Sequence, residues 1–184
     1  MNKTEYAKQQ KQRPVVMIAD TLLSRTAALL ASFATECDAE GIVYWFGMEC
    51  DTTAVITTLV VPNANTQYGC ISTPPEVNAE ALSVIVGTPL VLIGQAHSHP
   101  GYKVRHSWID DRDSFARFEG ALSMVVPFFG KRGIRLSRCV VHRFLNGRFR
   151  VIGCAEMFEH LRVIPGEKDF RTEVNPTRRS SDNG

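Results

Sequence analysis

The stretch LVLIGQAHSHPGYKVRHSWID, residues 90–110, decides both how the chain folds and where its chemistry sits. Its apolar start reads as a buried strand over 90–97, which Pro100 and Gly101 bring to an end. Alternate side chains of a strand leave the same face, so His97 and His99 converge on one point at the strand end. A hydrolytic metal site asks for three N/O ligands with one position left open, and the third ligand is usually a carboxylate. Asp110 fills that place: the turn PGYKVRH reverses the chain, and Ser107 caps a helix whose first turn carries Asp110. Taken singly, S-x-x-D is an ordinary capping motif and H-x-H an ordinary pair of satisfied histidines. The joint spacing, H-x-H-x7-S-x2-D, is what sets this segment apart.

Outward from it, Leu22, Leu23, Leu29, Leu30 and Phe33 recur at helical spacing and predict an amphipathic helix over 20–36. IVYWF (42–46) and AVITTLVV (54–61) are β-branched and aromatic, and flank a turn at 49–52, so they read as a hairpin. A Pro/Asn-rich loop (62–75) and a helix over 76–86 lead into the central strand. Beyond it come a helix over 108–119 with Trp108, Phe115 and Phe118 on one side, strands near 121–126, 137–144 and 148–153, and a last helix over 154–162. These elements make an α/β fold, a mixed curved sheet packed between helices. One domain over 15–164 is expected, with mobile polar tails at 1–14 and 165–184.

Composition narrows the function. Hydrophobic residues at 44%, charged residues at 22% and a net charge of +2 are globular values that give no electrostatic case for nucleic acid. No apolar run approaches the roughly 20 residues that span a bilayer. The N-terminal MNKTEYAKQQKQRP lacks the apolar core of a secretory signal, so the cytoplasm is the expected compartment. Five cysteines with no C-x-x-C pair argue for reduced thiols rather than a disulfide framework.

With GQAHSHP followed by Ser107 and Asp110, the sequence resembles the JAMM/MPN+ (JAB) family of zinc metalloproteases, in particular its compact, stand-alone bacterial-type members. The resemblance implies the layered MPN architecture, similar to that of the cytidine deaminases. It also implies a catalytic glutamate seven residues before a glycine that closes an apolar strand. EGIVYWFG (40–47) fits with Glu40, while Glu36 and Glu49 are rivals. One catalytic Zn2+ would be held by His97, His99 and Asp110, activating a water and polarising the scissile carbonyl. Glu40 would move the proton from water to the leaving amine, and Ser107 would donate a hydrogen bond to the oxyanion. The implied substrate is the bond after the C-terminal tail of a ubiquitin or ubiquitin-like protein, a deconjugation or precursor-processing reaction.

Three other readings compete. One is a peptidase that trims a sulfur-carrier protein of the ThiS/MoaD type with the same chemistry. Another is a non-catalytic MPN-like scaffold, which the complete ligand set disfavours. The third, a nucleobase deaminase, needs H-x-E and P-C-x-x-C, and this chain has neither.

Overall fold

A computed structural model describes residues 14–166. In chain order the elements are β1 (Val15–Ala19), α1 (Asp20–Glu36), β2 (Ile42–Cys50), β3 (Thr53–Val60), β4 (Asn65–Gln67), β5 (Cys70–Ser72), α2 (Pro75–Ser83), β6 (Val91–Ser98), α3 (Trp108–Asp113), β7 (Leu122–Val126), β8 (Val140–Leu145), β9 (Arg148–Val151), α4 (Met157–His160) and β10 (Leu161–Ile164). Short 3-10 turns occupy Phe128–Gly130 and Leu136–Arg138. Eight strands form one curled sheet in the order β10-β1-β3-β2-β6-β7-β8-β9, and β4 and β5 form a separate hairpin. Strand β1 runs parallel to both β10 and β3, and β6 parallel to β7, while the other pairs are antiparallel, so the sheet is mixed as expected. No helix among the described residues is long and apolar enough to cross a membrane.

Strands β2 and β6 lie at the middle of the sheet and are covered on both faces. On one face Val43, Trp45, Ile56, Ala96 and Met124 pack under α1, which turns Leu23, Ala27 and Leu30 toward them. On the other, Ile42, Tyr44 and Phe46 pack against Ala81 of α2 and Phe115. Continuous apolar runs, rather than alternating ones, follow from this double coverage. The polar tips of the two large aromatics find partners: Trp45 Nε1 donates to Thr26 Oγ1 at 3.3 Å, and Tyr44 OH donates to Asn78 Oδ1 at 2.6 Å.

The β2–β6 register shifts between Trp45 and Phe46, leaving Ile93 as an extra residue in β6. That bulge sets which face the rest of β6 presents, so that Gln95 and His97 share the α2 side with their cross-strand partners Tyr44 and Ile42.

Four sequence expectations need correction. The helix expected over 108–119 stops at Asp113, where Ser114 turns extended (φ −55°, ψ 131°). Buried Gln95 is the cause: its Oε1 accepts from Ala116 N at 3.1 Å and its Nε2 donates to Ser114 Oγ at 3.1 Å, peeling the chain off the helix. Trp108, Phe115 and Phe118 therefore share no helix face; Phe115 packs on Tyr44 while Trp108 lies exposed beside Arg112. The last helix covers only Met157–His160, and the residues after it become strand β10. The loop over 62–75 contains the β4–β5 hairpin. Strand β1 was not anticipated at all. The expected tails, 1–14 and 165–184, lie outside the described residues apart from Pro14, Pro165 and Gly166.

Gly47, which ends the EGIVYWFG segment, sits inside β2 where a Cβ would land on the carbonyl oxygen of Val55 in β3. Backbone, not a flexible side chain, would have to give way. Gly47→Ala should destabilise the fold by at least the about 1–3 kcal/mol typical of overpacking, read as a lower urea midpoint with an unchanged slope.

Candidate metal centre

The site is assembled at the C-terminal end of β6. Ile42 pairs with His97, and one step further Ser98 N donates to Gly41 O at 3.0 Å while Gly41 N donates to Ser98 Oγ at 2.9 Å. This closing pair of bonds sets Glu40 level with His99. On the other side His99 N donates to Val126 O at 2.9 Å, and Phe129 N donates to His99 O at 2.8 Å. The His-Ser-His segment is thus clamped between β2 and the end of β7.

His97, His99 and Asp110 come together as the sequence spacing implied, with one ligand atom from each lying within 4.8 Å of the others. His97 Nε2 and His99 Nε2 are 3.2 Å apart, His97 Nε2 is 3.6 Å from Asp110 Oδ1, and His99 Nε2 is 3.4 Å from Asp110 Oδ2. A tetrahedral ion bound at roughly 2.0–2.1 Å separates its ligands by about 3.3 Å, so the triangle has the edge lengths of such a polyhedron. His99 Nδ1 donates to the carbonyl of Lys103, which leaves the Nε2 lone pair aimed at the cluster. Two imidazole nitrogens and a carboxylate oxygen, facing one another across this distance, are a donor set that fits a divalent cation of the zinc type.

Asp110 reaches the cluster through a capping box. Its Oδ2 accepts from Ser107 N at 2.6 Å, and Ser107 Oγ accepts from Asp110 N at 3.2 Å. The structure shows the capping box, and that role leaves Asp110 able to act as a ligand as well, because the carboxylate has two oxygens and a bond to the backbone does not exhaust them. Ser107 accepts through its oxygen and keeps its own hydroxyl proton to give. Burial works against the charge on Asp110, but the hydrogen bonds and charge of His97 and His99 and the Ser107 amide overcome it and hold the carboxyl well below the usual range.

Glu40 is 5% exposed and lines the same cleft as His99, Ser107 and Asp110. Burial pushes its carboxyl up to about 7; His99 pulls it down and Asp110 pushes it further up. Its rivals Glu36 and Glu49 are exposed, and Glu49 lies instead beside Pro14, Ile93 and Phe118.

Three supporting residues were not singled out from the sequence. Ser98 fastens Glu40's neighbour. Ser123 and His142, paired across β7 and β8, support His106 from behind. The His106 ring stacks on His142 at 3.8 Å between centroids; its Nε2 lies 2.9 Å from Ser123 Oγ and its Nδ1 2.8 Å from Asp111 Oδ1. Burial, then the neighbouring His142 and His97, press His106 down to about 2, and burial and His97 press His142 down to about 4, so both are neutral near pH 7. A neutral His106 donates to Asp111 through Nδ1 and accepts from Ser123 through Nε2. It thereby ties the start of α3, and with it Asp110, to the sheet.

No protein-family model matches the chain. It is 34% identical over 109 residues to the probable metalloprotease y4jG of Sinorhizobium fredii; the match takes in 56% of this chain and 66% of that protein, just under two thirds of its length. Among solved structures, a solution structure of a Desulfitobacterium hafniense protein superposes with a TM-score of 0.63 at 12% identity, covering 83% of this chain and 94% of the other. One of a Salinibacter ruber protein gives 0.51 at 18% identity, covering 74% and 88%. At these identities the two solved structures speak to a shared fold alone.

Ser98 is fully buried, so removing its hydroxyl strands the Gly41 amide. Ser98→Ala should cost about 1–3 kcal/mol, the penalty of an unpaired buried donor, seen as a fall in thermal midpoint. Ser98→Thr, which restores an acceptor, should recover part of it.

Proposed function

We propose that this chain is a zinc-dependent metallopeptidase of the JAMM/MPN+ type, and that it hydrolyses the amide or isopeptide bond after the C-terminal tail of a ubiquitin-like protein. One observation carries the reading. Two imidazole nitrogens and a carboxylate oxygen converge to zinc-ligand separations directly beside a buried glutamate whose carboxyl is tuned to about 7. Similarity to a probable metalloprotease supports the same reaction class.

His97, His99 and Asp110 would hold the ion. When bound, it supplies Lewis acidity, acidifying a water and polarising a carbonyl oxygen. Glu40, poised near neutrality and shielded from bulk solvent, accepts the proton of the attacking water and returns it to the leaving amine. Ser107 stands at the cleft edge with a free hydroxyl proton to donate to the oxygen on which charge develops. His106 and His142 stay neutral, hold the ligand helix in place and add no charge to the site. None of the described cysteines lines the cleft, so a thiolate nucleophile has no place in this scheme. The cleft around these groups encloses about 1150 Å³ and is open enough to admit an extended chain. The same chemistry would serve a sulfur-carrier protein of the ThiS/MoaD type, and assays on both kinds of C-terminal fusion separate the two substrates.

Purified full-length protein should carry about one zinc per chain, and cleavage of a ubiquitin-like C-terminal fusion should stop on chelation and return with zinc. Asp110→Ala and His97→Ala should lose zinc and cleavage together. Glu40→Gln should keep its zinc and lose about 10²–10⁴-fold in turnover; a zinc-replete Glu40→Gln protein with undiminished turnover would contradict the role given to Glu40.

A further inference from the structure

One end of the cleft has a character that the hydrolytic chemistry does not require. Tyr68, on the turn between β4 and β5, and Tyr102, on the turn after β6, both line it and are 67% and 80% exposed. Each rests on one of two consecutive phenylalanines. Tyr102 meets Phe128 edge-on at 4.5 Å, and Tyr68 meets Phe129 at 6.1 Å. Each phenylalanine in turn carries a cation: Arg132 lies 3.9 Å over the Phe128 ring, and Lys131 lies 5.7 Å from the centre of Phe129. Lys103 and Arg105 line the cleft on the Tyr102 side. Among the described residues, none of these four cations has a carboxylate partner within ion-pair distance.

The backbone beneath this array is strained. Phe128 and Phe129 both take φ of 55°, a left-handed conformation that bulky residues avoid. It is held by the Phe129 amide on the carbonyl of the metal-ligand candidate His99 and by the turn bonds Gly130 N to Pro127 O and Lys131 N to Phe128 O. Both rings stay half-buried and pack against the two cleft-lining tyrosines instead of entering the core. Two exposed aromatics lining one cleft, each resting on a phenylalanine that carries an unpaired cation, have the composition of a binding surface rather than of a solvated loop.

We propose that this rim binds the substrate polypeptide, and that it selects an acidic segment next to the scissile bond: aspartate or glutamate side chains meet Lys103, Arg105, Lys131 and Arg132, while the backbone lies across Tyr68 and Tyr102. The proposal rests on the peptidase reading of the same cleft. Charge complementarity fixes the occupant. The four rim cations match spaced acidic side chains of a peptide, and a net charge of only +2 over the chain gives no wider basic surface for a polyphosphate backbone to follow.

The test uses full-length, zinc-loaded protein and two fluorescein-labelled decapeptides that differ only in carrying three Asp or three Lys at the same positions. Anisotropy, with Glu40→Gln blocking turnover, reads binding; the unmodified protein reads cleavage. The acidic peptide should bind about tenfold or more tightly than the basic one, and its affinity should fall as salt rises. Charge reversal of Lys103 and Arg132 to Glu should abolish or invert the preference, while Arg25→Glu, an exposed position of α1 outside the cleft lining, should leave it unchanged. Equal binding of the two peptides, a preference untouched by the rim reversal, or equally strong displacement by a single-stranded oligonucleotide would overturn the proposal. Selective acidic binding without cleavage would leave the rim standing and count against the peptidase reading, whereas cleavage indifferent to charge would do the reverse.

Discussion

Everything at the centre hangs on the last rung of the β2–β6 ladder. Two hydrogen bonds join Gly41 and Ser98, and they fix where β6 ends, which way its histidines face and how close the residue before Gly41 comes to them. Without that rung, Glu40 would be one more carboxylate at the end of a helix–strand connection, free to stay in water. With it, Glu40 is drawn under cover beside His99 and its carboxyl rises to about 7 through desolvation. Gly41 is required for the approach, because a Cβ there would press into the Phe33 ring of α1.

The cluster itself is a problem in electrostatics that a cation solves. Two imidazole nitrogens and a carboxylate point at one another over 3.2–3.6 Å in a partly buried setting. Buried charge is tolerated when it is paired or coordinates a metal. The surrounding residues keep the rest of the neighbourhood neutral: His106 and His142 are stacked and held uncharged, and Asp111 is engaged by His106 at 2.8 Å. Asp110 is anchored three ways, through its Ser107 cap, through the Ser114 hydroxyl on its own carbonyl, and through the Gln95–Ser114 bond to the central strand. Rigid support of this kind is what a preorganised site needs.

What the sequence made legible is the part that is local. The helical stripe of α1, the β2–β3 hairpin, the central strand and the spacing of His97, His99, Ser107 and Asp110 all follow from side-chain periodicity or turn chemistry within about twenty residues. Glu40 lay one step beyond that reach and came from the family resemblance, because nothing in EGIVYWFG by itself distinguishes it from Glu36 or Glu49. The features that escaped are non-local. Strands β1 and β10 are short and pair in parallel across nearly the whole chain, Val16 with Leu161, so neither carries enough pattern alone. The early end of α3 is dictated by Gln95, a residue of another element. His142 enters the site only because β7 and β8 pair in a register that puts it beside Ser123. In each case the missing information is a contact between distant segments, which periodicity does not encode.

X-ray absorption at the zinc edge of the zinc-loaded protein reads directly whether His97, His99 and Asp110 hold the proposed ion. It should show about four N/O neighbours at roughly 2.0–2.1 Å, with the outer-shell scattering of two imidazoles. Sulfur scattering near roughly 2.3 Å, or the outer-shell scattering of no imidazole or of three, would place the ion elsewhere and contradict the site described.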